Sequence, residues 1–179
     1  AGQSCIAAKR WIVEKGIAPE FTAAVKRLLQ DLKQGDPTLE STNMGPMARP
    51  DLAEELAKQV KDSLNQGATL EVGGTHEGCN FAPTLLTGVT NKMTAFKEET
   101  FGPLAVIIEA ANEADAIALA NETDFGLGAA LWTSDLDKAA RLAAQIESGN
   151  VFINAMVRSD ARLPFGGVKQ SGYGRELSL

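Results

Sequence analysis

The feature that most constrains the fold is a short run, Leu104-Ala105-Val106-Ile107-Ile108, in which every residue is apolar. A strand with one face in water alternates apolar and polar residues, whereas a strand covered on both faces of a parallel sheet is apolar throughout. Helix, strand, helix and strand patterns follow this run, with short joins between them. This order is typical of a right-handed βαβαβ unit. We therefore predict an α/β fold with a mostly parallel sheet flanked by helices.

Local signals predict the other elements. Apolar residues at helical spacing predict one helix that opens at Pro19 and stops near Gly35, and a second helix from Pro50 to about Gln66. Residues 35–50 form a long loop between these helices. The remaining predicted strands cover residues 11–13, 69–72, 126–132 and 149–154, and two later helices follow the capping residues Asn112 and Ser134.

The composition excludes several classes of protein. The chain has 179 residues, 44% of them hydrophobic, so it can bury a core. Its 17 basic and 23 acidic residues give a net charge of -6 and form no basic stripe, so we predict no nucleic-acid partner. No apolar stretch approaches the roughly 20 residues that span a bilayer, and the N-terminus lacks the layout of a signal peptide. We predict a soluble, cytoplasmic protein with no membrane partner.

Few residues are available for metal or triad chemistry. Cys5 and Cys79 are too far apart for a C-x-x-C motif and too few for a disulfide framework, so we predict reduced thiols and no metal site. The single histidine, His76, lies in a glycine-rich turn, where a solvated side chain is expected. A catalytic Cys-His or Ser-His-Asp arrangement is therefore not favoured, because His76 is the only histidine that could act as its base. Neither G-x-G-x-x-G nor G-x-x-x-x-G-K-[ST] occurs in the chain.

Cys5 is the candidate nucleophile. It lies in Gly2-Gln3-Ser4-Cys5, a small polar turn that we predict to open a helix. A helix N-terminus stabilises a thiolate, because unpaired N–H groups and the macrodipole favour negative charge there. The absence of a side chain at Gly2 leaves room for a carbonyl substrate to approach, with backbone N–H groups as oxyanion donors. Taken alone, however, the local pattern fits a small buried or terminal thiol better than a nucleophile.

Two further segments carry an unusual composition. Glu98 and Glu99 precede Thr100-Phe101-Gly102-Pro103, and they fit either a solvated acidic pair or a turn that holds a ribose beside a flat heterocycle. The closing stretch from Pro164 to Glu176 has four glycines after Phe165, too many for a regular helix or strand. Glycines at this density allow backbone to come close to other backbone or to a ligand.

Taken together, these three segments resemble the aldehyde dehydrogenase superfamily over essentially the whole chain. Gly2-Gln3-Ser4-Cys5 is similar to the family's G-Q-x-C motif, and residues 98–103 are similar to its E-E-x-F-G-P motif. Asn154 and the Pro164-to-Glu176 stretch are similar to its C-terminal signature. The resemblance implies that Cys5 is the nucleophile, with its backbone N–H as an oxyanion donor. It also implies NAD or NADP as cofactor, with Glu99 on the nicotinamide ribose and Phe101 positioning that end of the cofactor.

The resemblance also implies a substrate class. Phe165 would line the aldehyde tunnel. Ser159 stands five residues after Asn154, as does the carboxylate-contacting serine of succinate-semialdehyde dehydrogenases, which are the branch of the family that the chain resembles most. Arg158 and Arg162 would add donors for a carboxylate, and the alternative is that both are ordinary surface arginines. The expected substrate is therefore succinate semialdehyde or a similar short semialdehyde.

The domain organisation follows from the same resemblance. We expect residues 1–179 to be the nucleophile-bearing catalytic domain, with the cofactor-binding domain, the general base and the C-terminal oligomerisation strand outside the chain. The chain alone is accordingly expected to be inactive and a poor binder of the cofactor, and a homo-oligomer is expected. Two alternatives stay open at this stage: a non-catalytic scaffold of the same fold, and a relative that transfers the acyl group to CoA.

Overall fold

The computed structural model describes residues 1–178, which divide into two compact units. The first unit comprises Ala1–Ser4 and Ala8–Ala116, and the second comprises Cys5–Ala7 and the chain from Ile117 onwards. Both units combine helices with short strands, and the predicted mixed α/β class with a mainly parallel sheet is confirmed.

The first unit contains six strands and three helices. The strands are β1 (Trp11–Glu14), β2 (Thr69–Val72), β3 (His76–Glu77), β4 (Asn80–Phe81), β5 (Thr84–Thr87) and β6 (Leu104–Ala110). The helices are α1 (Ala18–Gln30), α2 (Pro50–Asn65) and α3 (Thr94–Lys97). The helix predicted to run on towards Gly35 ends at Gln30, where the Asp31 N–H donates to the Arg27 carbonyl oxygen and closes the last turn.

The main sheet has the strand order β1-β6-β5-β2. Strands β1, β6 and β5 are parallel, and β2 pairs antiparallel with β5 at the edge. The prediction that β6 and the later strands form one βαβαβ sheet is therefore wrong, because the later strands belong to separate two-stranded sheets. Both hydrogen-bonding edges of β6 are taken by strands that precede it in the chain, so the later strands have no free edge of β6 to pair with.

The core explains why the β6 sequence is apolar throughout. One set of its residues packs with α1 in a cluster built from Val13, Val25, Leu85 and Ile107. The alternate residues of the central strands, Leu86, Val106 and Ile108, are also fully buried. Because successive strand residues point to opposite faces, both faces of β6 are covered, as the apolar run predicts.

The second unit is built from short elements. They are β7 (Phe125–Gly126), β8 (Ala129–Leu131), α5 (Leu136–Ala143), β9 (Val151–Ile153) and β10 (Val168–Lys169), preceded by α4 (Glu113–Asn121), which crosses the boundary along the chain. Strands β8 and β9 are parallel with α5 between them in sequence, and β7 pairs antiparallel with β10.

Three local predictions can be compared with these elements. The Asn112 cap is confirmed, because its Oδ1 accepts the Asp115 N–H at 3.1 Å. The single strand predicted over residues 126–132 is wrong: the chain changes partner between β7 and β8, at the two glycines that flank Leu127. The helix cap is one residue later than Ser134, since the Asp135 Oδ1 accepts the Lys138 N–H at 2.9 Å.

The structure also bears on the predictions about the cysteines and about membrane-spanning segments. Both cysteines are free thiols, as predicted. None of the helices within residues 1–178 combines the length and the apolar content that a membrane-crossing segment needs.

Candidate active site

Cys5 lies on a turn and its side chain is exposed. The predicted helix after it is wrong, because the chain turns over residues 4–7 and then enters β1 at Trp11. Too few residues separate the turn from β1 to repay the cost of nucleating a helix, and pairing of Trp11 with Ile107 draws this segment into the sheet. The helix-dipole argument for a thiolate at Cys5 therefore has no basis in this structure.

Within the second unit, Cys5 lines a pocket of about 460 Å³. Its other lining residues come almost entirely from the closing glycine-rich stretch: Leu127, Phe165, Gly166, Gly167, Ser171, Tyr173, Gly174, Arg175 and Glu176. The structure thus brings together two of the segments that the sequence singled out, and it places Phe165 and Cys5 on one pocket. Such a pocket presents a thiol beside an aromatic wall and a wall of exposed backbone.

Hydrogen bonds from backbone and side chains hold the glycine-rich stretch in its shape. Phe165 and Glu176 exchange both of their backbone hydrogen bonds, at 2.8 and 2.9 Å. The Arg175 Nη1 donates to the Gly167 carbonyl oxygen at 2.8 Å, and the Asn150 Nδ2 donates to the Gly166 carbonyl oxygen at 3.0 Å. The stretch is therefore a closed loop that is bonded to the residue just before β9, although it contains little regular secondary structure.

Close backbone packing explains why glycines are needed in this loop. A Cβ placed on Gly149 would overlap the carbonyl oxygen of Gly166. A Cβ on Gly166 would in turn overlap the carbonyl oxygen of Gly174. The prediction that the glycines let backbone approach backbone is confirmed here, and these contacts form one wall of the pocket.

The first two residues of the G-Q-x-C segment are anchored within the first unit. Gly2 has a φ of 74°, and a Cβ there would overlap the Gly102 carbonyl oxygen. The Gln3 side chain accepts the Ala48 N–H at 2.9 Å. The glycine is therefore required by the approach of two backbones and by its left-handed conformation. The prediction that its small size serves substrate access is therefore not needed to explain this glycine.

Glu99 and Phe101 belong to the first unit and lie at its surface. The Glu99 side chain is exposed, and the Phe101 ring is 37% exposed. The Lys9 ammonium lies 4.5 Å from the centroid of the Phe101 ring, a cation–π distance. The neighbouring Glu98 carboxylate accepts a hydrogen bond from the Gln59 Nε2 at 3.0 Å.

Two residues beside this turn were missed by the sequence analysis. Lys9 carries no local signal of its contact with Phe101. Gln59 does carry one, because it interrupts the apolar stripe of α2 between Leu56 and Val60 and yet is buried, with an exposure of 5%. A polar side chain on the buried face of an amphipathic helix requires a partner.

The three residues predicted to bind a carboxylate do not line the Cys5 pocket. Arg158 and Ser159 are exposed. Arg162 is also exposed, and its guanidinium binds the Asp160 carboxylate through Nε at 2.9 Å and Nη2 at 2.7 Å. The hydrogen bond from Arg162 holds the pKa of Asp160 well below its usual range. The charge of Arg162 is therefore already paired.

The chemistry of the Glu98-to-Pro103 turn suits one end of a dinucleotide. Within residues 1–178, no hydrogen bond or ion pair engages the Glu99 carboxylate, so its oxygens are available to ribose hydroxyls. The partly exposed Phe101 ring offers an apolar surface to a flat heterocycle, with Lys9 against its face. The carboxylate acceptor and the aromatic surface of this turn thus fit the ribose and ring of a nicotinamide nucleotide.

Comparison with known proteins identifies the family of the chain. Residues 1–179 match the model of the "Aldehyde dehydrogenase family". The chain is 51% identical over 180 residues to a succinate semialdehyde dehydrogenase [NAD(P)+] of Escherichia coli, with 99% of this chain and 39% of that protein covered.

Two solved structures show how far the likeness in fold extends. Succinic semialdehyde dehydrogenase from Streptococcus pyogenes, in complex with NADP+, gives a TM-score of 0.95 at 36% identity, with 99% of this chain and 40% of that chain covered. Betaine aldehyde dehydrogenase from Staphylococcus aureus, in complex with NAD+, gives a TM-score of 0.95 at 34% identity, with 99% and 37% covered. The chain therefore spans about two fifths of the length of the proteins it matches.

Proposed function

Because the chain belongs to the aldehyde dehydrogenase family, we propose that the protein that contains it oxidises an aldehyde to the carboxylic acid with NAD+ or NADP+. Residues 1–179 are the nucleophile-bearing catalytic domain in this proposal, and another part of the enzyme supplies the main contacts to the cofactor. The observation that carries the proposal is the pocket in the second unit, which is lined by Cys5, by Phe165 and by the glycine-rich loop.

Cys5 is the nucleophile of the proposed reaction. Its sulfur adds to the carbonyl carbon of the aldehyde and forms a hemithioacetal, and the Cys5 backbone N–H donates to the resulting oxyanion. Later, water attacks the carbonyl carbon of the thioester, the carbon–sulfur bond breaks, and the acid leaves with Cys5 restored as a thiolate. Phe165 excludes water from one side of the reacting carbon and orients the aldehyde.

Glu99 and Phe101 bind the cofactor at its nicotinamide end. The Glu99 carboxylate accepts hydrogen bonds from the ribose hydroxyls, and Phe101 packs beside the ring. When bound, NAD+ or NADP+ supplies the acceptor for the hydride whose loss converts the hemithioacetal into the thioester. The free Glu99 carboxylate and the partly exposed Phe101 ring support this assignment.

The substrate is a short semialdehyde with a distal carboxylate, succinate semialdehyde in the first instance. The similarity to a succinate semialdehyde dehydrogenase supports this choice. Ser159 and Arg158 are exposed and available to a carboxylate. Arg162 also contributes positive charge, but less than Arg158, because Asp160 already pairs with it.

Steady-state kinetics of the full-length protein test the proposal. We expect NADPH or NADH to form with succinate semialdehyde and much more slowly with butanal, an uncharged aldehyde of equal length. Cys5→Ala should lower kcat by about a thousandfold or more, as loss of a nucleophile does, whereas Cys79→Ala should leave it unchanged. Equal kcat/KM for the two aldehydes would contradict the proposal that the enzyme recognises a distal carboxylate. So would a Ser159→Ala variant that leaves the ratio of the two kcat/KM values unchanged. We expect residues 1–179 alone to form no reduced cofactor.

A further inference from the structure

We propose that Gln59, on the buried face of α2, is a positioning residue that holds the Glu98-Glu99 backbone so that the Glu99 carboxylate is presented to the cofactor ribose. This inference rests on the proposed function, because it assigns Glu99 to the cofactor. All the residues that carry it belong to the first unit.

The side-chain amide of Gln59 makes two hydrogen bonds to the turn. Its Nε2 donates to the Glu98 Oε2 at 3.0 Å and to the Glu99 carbonyl oxygen at 3.3 Å. Both partners are acceptors, so only the NH2 group of the amide can face them and the orientation of the amide is determined. One side chain thus fixes both a carboxylate and the next peptide group.

The donor of these hydrogen bonds is buried, although Glu98 lies at the surface. Gln59 is 5% exposed, and Ser63, one turn further along α2, is completely buried. The Ser63 Oγ donates to the Gln59 carbonyl oxygen at 2.8 Å and accepts the Ala95 N–H of α3 at 2.9 Å. A buried donor that loses its partner costs more than an exposed one, because water cannot replace the partner. The Ser63 hydrogen bonds therefore join α2 to α3, and they fix the position of Gln59 relative to the turn that follows α3.

The consequence for Glu99 follows from chain geometry. Thr100 is 1% exposed, so the turn is fixed on one side of Glu99 by burial and on the other by the Glu98 carboxylate. With the Glu99 carbonyl oxygen also fixed, the direction of its Cα–Cβ bond is set, and only side-chain torsions stay free. The carboxylate therefore has less freedom to lose when it binds a ribose.

Substitution of Gln59 by methionine tests the inference, because methionine keeps the length of the side chain and removes the donor. Gln66→Met is the matched control: Gln66 lies just after α2 and bonds the other end of α3, through Thr94. In residues 1–179, backbone-amide order parameters of Glu99 to Phe101 are measured by NMR. We expect values of about 0.85 in the wild type and the control, and below about 0.6 in Gln59→Met.

A second variant covers the case in which Gln59→Met does not fold. Glu98→Ala removes one acceptor at an exposed position and leaves the core intact. We expect it to lower the order parameters of Glu99 to Phe101 partially. Order parameters that match the wild type in either variant would overturn the inference.

The functional consequence is measured in the full-length enzyme. Gln59→Met should raise KM for NAD+ or NADP+ about tenfold, with kcat within about twofold of the wild type. Hydrolysis of 4-nitrophenyl acetate by Cys5, which needs no cofactor, should be unchanged. If the wild type forms no reduced cofactor, the proposed function fails, and the order parameters still decide whether Gln59 holds the turn. If the wild type is active and the cofactor KM does not change, the inference fails and the proposed function stands.

Discussion

Gly149 lies so close to the Gly166 loop that its missing side chain determines the shape of the Cys5 pocket. A Cβ at Gly149 would overlap the Gly166 carbonyl oxygen and crowd Gly167, and both of these residues line the pocket. We expect Gly149→Ala to displace the loop and to lower the free energy of unfolding by about 2 kcal/mol or more. Denaturant titration followed by circular dichroism measures the loss.

Gly16→Ala is the matched control for this substitution. Nothing lies within 4 Å of a Cβ at Gly16, and its φ is outside the left-handed region. Alanine there should be neutral or stabilise the chain by about 0.4–1 kcal/mol, because it restricts the unfolded state. Equal stabilities of the two variants would show that the loop yields without cost and would contradict the packing argument.

The two thiols differ in accessibility. Cys5 is exposed, whereas Cys79 is half-buried, and the backbone carbonyl of Cys79 accepts the Met47 N–H at 2.7 Å. We expect limiting iodoacetamide to alkylate Cys5 first, as peptide mapping by mass spectrometry would detect. Cys79→Ser should leave the fast phase of the reaction unchanged, and Cys5→Ser should abolish it. Preferential labelling of Cys79 would count against an open Cys5 pocket.

At the scale of elements, the sequence predicts best where the signal is local. The apolar stripe of α2 and the apolar run of β6 predict elements that the structure contains, since burial of one or both faces dictates those patterns. The prediction of a helix after Cys5 is wrong, because pairing of Trp11 with Ile107 competes with helix formation. That partner is about a hundred residues away, and no short-range pattern includes it.

In the candidate site, too, local motifs are predicted well and long-range contacts are not. Cys5 and Phe165 could be selected from motifs, and the pocket places both on its lining. Gln59 and Lys9 were missed, because their contacts with the Glu98-to-Pro103 turn form only in the folded chain and leave no pattern in the local sequence around Lys9. Pairing of Arg162 with Asp160 was also not predicted, although the two residues are two positions apart.

An ion pair links α1 to the main sheet and gives the first unit a pH dependence. The Lys26 Nζ lies 3.1 Å from the Glu71 carboxylate on β2, and the Thr87 Oγ1 of β5 donates to the same carboxylate at 3.1 Å. The hydrogen bonds from Lys26 and then Thr87 lower the pKa of Glu71 below its ordinary value of 4.5. A depressed carboxylate pKa stabilises the fold above the unfolded pKa, and this stabilisation is lost as pH falls through the folded pKa.

We therefore expect Glu71→Gln to lower Tm by about 1–3 °C at pH 7, a small effect because solvent screens the pair. The difference from the wild type should shrink as the pH falls below the ordinary Glu71 pKa of 4.5. Asp62→Asn breaks the more exposed Lys58–Asp62 pair and should change Tm less. Thermal melts across this pH range measure both effects, and a Glu71→Gln deficit that stayed constant into acid would contradict the assignment.

For the whole molecule, the second unit exposes several large apolar side chains. Trp132, Leu136 and Met156 are exposed at 63%, 66% and 78%. Strands β8 and β9 form a two-stranded sheet, so among the described residues each has one hydrogen-bonding edge without a partner strand. Exposed apolar side chains and open strand edges both favour association with another chain.

We expect residues 1–179 to self-associate through this surface of the second unit. Sedimentation velocity should show a sedimentation coefficient that rises with protein concentration, because the association buries Trp132 and Met156. The double variant Trp132→Glu, Met156→Glu should move the equilibrium towards monomer, since burial of a carboxylate opposes it. Leu28→Glu is the matched control: Leu28 is 67% exposed, but it lies on α1 of the first unit, so the association should persist. A wild-type chain that stayed monomeric at the highest attainable concentration would contradict this prediction, and an equal effect of Leu28→Glu would move the association surface to the first unit.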